Sequence, residues 1–211
     1  EYLLSLGEVG GEHYGLPTNV NLKSMIWYPK DDFDAAGYTV PTTWDELIAL
    51  SDQIVADGST PWCVGFESGG ATGWPATDWM EDIMLRTAGA DVYDQWVAHE
   101  IPFNDPAIAT AIAEAGKILK NPKYVNGGYG DVKTIASTSF QDAGQPILDG
   151  TCYMHRQASF YAANWPEGTE VGPEGEVWAF YLPSVDTSTK PVLGGGEFTA
   201  AFADRPEVKA F

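Results

Sequence analysis

Four carboxylates, Glu67, Asp78, Glu81 and Asp82, lie close together along the chain and raise the first chemical question. Glycoside hydrolysis needs two carboxyl groups at a set separation, one protonated and one charged. Three of the four, Asp78, Glu81 and Asp82, fall in the early turns of an expected helix, where the helix dipole favours anions on its own account. Acids are also abundant, with 30 Asp and Glu against 11 Lys and Arg. Hydrolysis is therefore carried only as the alternative, and Glu67 and Asp78 serve equally as hydrogen-bond acceptors. His13, His99 and His155 show no metal-ligand spacing, and no Ser/His/Asp or Cys/His arrangement is recognisable. No catalytic residue, metal or cofactor is expected.

Cys63 and Cys152 are too few for a structural zinc site. They are either a disulfide or two buried free thiols, and both readings stand at this point. A bridge would close a long loop and contribute on the order of 4 kcal/mol through the unfolded state.

The formal net charge of −19 excludes nucleic-acid binding, which needs a basic footprint to displace counterions from phosphates. The same charge opposes docking on anionic lipid. No run of eighteen apolar residues occurs, so no membrane insertion by this chain is expected. It opens without Met or a charged-then-apolar leader, so any export signal is expected outside it. Hydrophobic residues make up 44% and aromatic residues 13%, enough for a packed core and too many for disorder.

The elements that position these residues alternate between strand and helix. A strand is expected over residues 12–17 after the Gly10-Gly11 turn, and a second over 20–28, which is rich in bulky side chains and free of Gly and Pro. Thr43-Trp44-Asp45-Glu46 has capping-box spacing, and Leu47, Ile48, Leu50, Ile54 and Val55 follow at helical period, with Gly58 at the C-terminal cap. A short strand is expected over 62–66. After the glycine-rich run from Ser68 to Gly73, a helix opens near Trp74-Pro75 and ends at Gly89. Asn104-Asp105-Pro106 opens another that runs to Lys120, with Pro122 and Gly127-Gly128 at its exit. A shorter helix is expected over 140–148, buried strands over 151–154 and 177–182, and a helical turn over 160–164. This alternation implies an α/β fold. Asp204-Arg205-Pro206-Glu207 opens a helix that stops at Phe211, and Glu1 enters equally abruptly, so the chain is expected to be a piece of a longer protein.

The run Leu16-Pro-Thr-Asn-Val-Asn-Leu-Lys-Ser-Met-Ile-Trp-Tyr28, followed by Ala36-Gly-Tyr-Thr-Val-Pro-Thr-Thr-Trp-Asp-Glu-Leu47, resembles the extracellular solute-binding proteins (family 1) of ABC-type sugar importers. Pro61-Trp-Cys-Val-Gly-Phe-Glu-Ser68, Ala71-Thr-Gly-Trp-Pro-Ala-Thr-Asp-Trp79 and Cys152-Tyr-Met-His-Arg-Gln-Ala-Ser-Phe160 look like the α-glucoside-binding branch, and Pro191-Val-Leu-Gly-Gly-Gly-Glu-Phe-Thr-Ala200 is similar to its returning hinge strand. The resemblance covers nearly the whole chain and implies a periplasmic-binding-protein-like (type II) C-terminal lobe with hinge strands. On that basis residues 1–23 are the hinge region leaving an N-terminal lobe, 24–192 the C-terminal lobe, and 193–211 the returning strand with the start of a helix.

What the resemblance implies about function is reversible binding of a carbohydrate in an interlobe cleft and delivery to an ABC permease. The implied location is outside the cytoplasm, periplasmic or at the cell surface, with a lipid anchor in the full protein one option. Export favours a Cys63–Cys152 bridge. A buried sugar needs an aromatic platform for its C–H faces and polar groups for its hydroxyls. Trp74 is the implied platform, with core packing its other use, and Thr72 and Gly73 line the same edge. Arg156 could fork onto adjacent hydroxyls or pair with an acid. His155 and Gln157 flank it as further contacts or as structural residues. Gly196 and Glu197 on the returning strand, and Asn19 and Asn21 on the outgoing one, complete the expected contacts. A stand-alone carbohydrate-binding module is a third reading, but such modules are usually all-β.

Overall fold

The computed structural model describes residues 2–126, 132–185 and 188–210, so Gly127 and Gly128 and the terminal Glu1 and Phe211 lie outside the described residues. In chain order the elements are α1 (Tyr2–Ser5), β1 (Glu8–Val9), β2 (Glu12–His13), β3 (Leu16–Leu22), β4 (Met25–Pro29), α2 (Lys30–Ala36), α3 (Trp44–Ala56), α4 (Trp74–Thr87), α5 (Ala90–Val97), α6 (Pro106–Leu119), β5 (His155–Arg156), β6 (Val177–Tyr181), β7 (Gly194–Thr199) and α7 (Pro206–Ala210). They fall into two compact units, a smaller one of Glu1–Leu22 with Gly194–Phe211 and a larger one of Lys23–Leu193.

In the smaller unit, Gly10 and Gly11 take φ of 62° and 85° at the tip of the β1–β2 hairpin, a conformation that favours glycine. The strand expected over 12–17 is divided. Tyr14 and Gly15 both donate to the Gly7 carbonyl, at 2.8 and 3.2 Å, which draws the backbone off the hairpin before β3 begins. β3 then pairs antiparallel with β7 from Leu16 opposite Thr199 to Leu22 opposite Gly194, with one irregularity between Pro17 and Asn19.

The strand expected over 20–28 is likewise two strands, parted at Lys23 and Ser24. Ser24 turns inward, where its hydroxyl donates to Asp82 at 2.7 Å and its carbonyl accepts from the Leu182 N–H at 3.0 Å. Beyond it, β4 is the centre of an antiparallel sheet ordered β5-β4-β6, with Ile26 opposite both Arg156 and Phe180. Covered on both sides, β4 reads as a continuous apolar run. The strands expected over 151–154 and 62–66 contribute only isolated bridges, Trp62 to Val125 and to Met154, and the ladder begins at His155.

Three helices carry the core of the larger unit. α3 starts in a reciprocal capping box, Thr43 accepting from the Glu46 N–H while Glu46 accepts from the Thr43 N–H, and buries Trp44, Leu47, Leu50 and Ile54. Asp57 caps it, and Gly58 follows in the left-handed region at φ 87°. Asp105 accepts from the Ala107 N–H at 2.9 Å to start α6, whose Ile108, Ala111, Ala115 and Ile118 form the stripe that packs on α4. Residues 140–148 hold no regular helix, only a 3₁₀ turn over Gln145–Asp149. The Gly144 N–H is taken by the Tyr161 hydroxyl at 2.9 Å instead of by a preceding carbonyl.

Cys63 and Cys152 are joined as a disulfide with Cα atoms 5.8 Å apart, buried among Trp27, Ile147, Tyr161, Trp165 and Val177. Among the described residues, no helix is long and apolar enough to cross a membrane, and no group of His, Cys, Asp or Glu is arranged to hold a metal ion.

Candidate functional site

Trp74 is the first residue of α4, set there by Gly73 at φ 106° and by Pro75 at the second helical position. Its ring is half-buried, with its centroid 4.9 Å from that of Phe140 and 6.0 Å from that of Phe160; those two rings are 6.1 Å apart. Three separate stretches of chain thus build one aromatic cluster. The loop before α4 is held by its own polar groups: Thr72 Oγ1 donates to the Gly69 carbonyl at 2.7 Å and accepts from the Ser68 N–H at 3.0 Å. Glu67 accepts from the Gly69 N–H, and its backbone exchanges hydrogen bonds with Thr138 and Phe140 at 3.0 Å each. Those bonds hold Phe140 beside Trp74. Neither Phe140 nor Phe160 was singled out by sequence, because an isolated Phe at a loop edge carries no spacing signal.

The other expected contacts of the larger unit lie deeper. Arg156 is 4% exposed and takes the salt-bridge alternative: Nη2 donates to Asp82 at 2.7 Å and to the Asp78 carbonyl at 3.0 Å, and the guanidinium lies 5.6 Å from the Trp79 ring centre. Gln157 is buried, its side-chain oxygen accepting from the Ala158 N–H at 2.9 Å and its backbone carbonyl from Trp27 Nε1 at 3.0 Å. His155 is buried against Tyr161, with Nδ1 2.9 Å from the Cys63 carbonyl. The carboxylates are engaged too. Asp78 is paired with Lys23 at 2.7 Å, Asp82 with Arg86 and Arg156, and Glu81 accepts from the Tyr93 hydroxyl at 3.1 Å.

Burial pushes the His155 imidazole down from its ordinary 6.5 to about 4, against the Cys63 carbonyl, which favours the charged ring. The unfolded chain therefore takes up this proton near pH 6.5, where the folded protein still resists it. Stability from neutral His155 is fully present above pH 6.5 and is lost as pH falls toward 4, a change of about 3 kcal/mol. Urea midpoints of the parent and of His155→Gln at pH 7 and pH 4 check this. The parent should lose more than the variant, and equal losses would reject it.

In the smaller unit, Asn19 faces Glu197 across the β3–β7 ladder, and Val20 and Asn21 face Gly196 and Gly195. Glu197 and Asn19 are exposed. A Cβ at Gly196 would stand 2.4 Å from the Asn19 carbonyl, so glycine is what allows the two strands to close there.

The α/β arrangement is that of type II periplasmic solute-binding proteins. The chain superposes on a chitin oligosaccharide binding protein with a TM-score of 0.76 at 21% identity, over 98% of this chain and 49% of the other. It also superposes on the bacterial solute receptor AcbH, described as having an exclusive preference for β-D-galactopyranose, with a TM-score of 0.68 at 25% identity, over 94% and 47%. A family model for bacterial extracellular solute-binding proteins matches residues 1–211, and the chain belongs to that family. It is 44% identical over 203 residues to the alpha-glucosides-binding periplasmic protein AglE of Rhizobium meliloti, covering 94% of this chain and 43% of AglE. It is 43% identical over 209 residues to the osmoprotective compounds-binding protein GgtB of Synechocystis, covering 98% and 48%. The chain thus spans less than half the length of these curated relatives.

Proposed function

We propose that this chain is the C-terminal lobe, with its hinge strands, of an exported receptor that binds an α-glucoside or related oligosaccharide and presents it to an ABC-type permease. Residues 24–192 form the lobe, and residues 1–23 and 193–211 are the crossings. The observation that carries the reading is the half-buried Trp74 ring braced by Phe140 and Phe160 at a helix start, in a chain 44% identical to an α-glucoside-binding protein. An indole face supplies apolar area to the C–H face of a sugar ring. Thr72 and Gly73 border it, while Asn19, Asn21, Gly196 and Glu197 offer polar groups from the strands. Arg156, His155 and Gln157 act from the core, fixing the backbone behind this edge. Binding is reversible, with no bond made or broken. The acids that would have to perform hydrolysis are taken up by Lys23, Arg86, Arg156, Tyr93 and backbone N–H groups.

The likeness to GgtB supports a second reading of the ligand, an osmoprotective compound. Titrating both ligand types into the full-length protein separates the two. With the sugar that binds, Trp74→Ala should weaken affinity about thirtyfold, or about 2 kcal/mol, with the thermal midpoint nearly unchanged. An unchanged Kd would remove Trp74 from the site.

A further inference from the structure

Both chain crossings between the two units are tied to one buried carboxylate. The boundary falls at Leu22/Lys23 on the outgoing strand and at Leu193/Gly194 on the returning one. On the larger unit's side, the Lys23 N–H donates to the Leu193 carbonyl at 2.8 Å, and the Leu193 N–H donates to Ser24 Oγ at 2.8 Å. That same hydroxyl donates to Asp82 Oδ1 at 2.7 Å. Asp82 also binds Arg86, whose guanidinium donates onward to the carbonyls of Leu182 at 2.8 Å and Pro191 at 3.3 Å. One turn earlier on α4, Asp78 pairs with Lys23 Nζ. On the other side of the boundary, Gly194, Gly195 and Gly196 pair with Leu22, Asn21 and Val20 in the β3–β7 ladder.

We infer that Asp82 is a positioning residue that clamps both crossings to α4 through Ser24 and Arg86, so that Lys23, Ser24 and Leu193 are fixed as part of the larger unit. A buried, charge-assisted network resists rotation. The two crossings therefore share one fixed end. The inference concerns this chain's own hydrogen bonds and stands whichever ligand the protein takes.

Amide hydrogen exchange tests it without a ligand. Ser24→Ala removes only the hydroxyl that links Leu193 to Asp82. It should raise exchange at the Leu193 and Lys23 amides about tenfold while the Ile26, Trp27 and Tyr28 amides of β4 keep their parent rates. Asp82→Asn keeps the shape and removes the charge, and should raise the same two amides. Parent rates at Leu193 and Lys23 in both variants would overturn the inference. So would an equal rise at those two amides and across β4 in Ser24→Ala, because the hydroxyl would then support the whole unit and not the crossings.

Discussion

Replacing Asp82 by alanine is expected to destabilise the larger unit by about 3–5 kcal/mol, the cost of stranding buried charges. Asp82 is 0% exposed and forms ion pairs with Arg86 and Arg156, which are 2% and 4% exposed. Burial already pushes the Arg86 guanidinium down from its ordinary value, and Asp82 is the leading influence that holds it up. Without that carboxylate, Arg86 keeps backbone carbonyls of Leu182 and Pro183. Arg156 is left with the Asp78 carbonyl and the Trp79 ring. Domains of this size are stable by only about 5–15 kcal/mol, so such a variant stands near unfolding. The exposed Lys30–Asp34 pair, by contrast, should cost far less when removed, because solvent screens it. Urea unfolding of Asp82→Ala beside Asp34→Ala checks the contrast, and a loss below about 1 kcal/mol for Asp82→Ala would show that the arginines find other partners.

Removing the disulfide is the second large effect. Cys63 and Cys152 are 89 residues apart, and cross-linking a loop of that length restricts the unfolded chain by about 4–5 kcal/mol. Both sulfurs lie in the cluster that packs under Trp27 and Trp165, so the Cys63→Ala, Cys152→Ala variant also loses apolar contact. It should unfold at markedly lower urea than the parent, and the parent under strong reductant should move the same way. If the two proteins unfolded at the same urea concentration, the unfolded chain would have to be compact enough that the bridge restricts nothing.

Helix starts were legible because their causes are local. Thr43 and Glu46, Trp74-Pro75, and Asp105-Pro106 each act within one turn, and all three helices begin where those residues lie. The returning strand was legible through the family resemblance of residues 191–200, and its Gly196 meets the close approach to Asn19. What was hidden depends on partners far along the chain. The break at Ser24 follows from an acid 58 residues away, and the pairing of Arg156 from one 74 residues away. Nothing in the order of 30 acidic residues singles out that one. α2 escaped because it buries only Phe33 and shows no apolar stripe, and α5 because it is only 8 residues long, its Val92, Tyr93 and Trp96 packing partly buried against the core. The site was half legible: Trp74 stood out beside its glycine-rich loop, whereas Phe140 and Phe160 meet it only through the fold.

The central claim, that the chain belongs to a receptor for an α-glucoside, is tested most directly by calorimetric titration of the full-length protein with maltose, trehalose, sucrose and longer α-glucosides. The account predicts saturable binding of at least one of them, with the sugar recovered intact afterwards. Absence of binding to every α-glucoside, or release of a hydrolysis product, would contradict it.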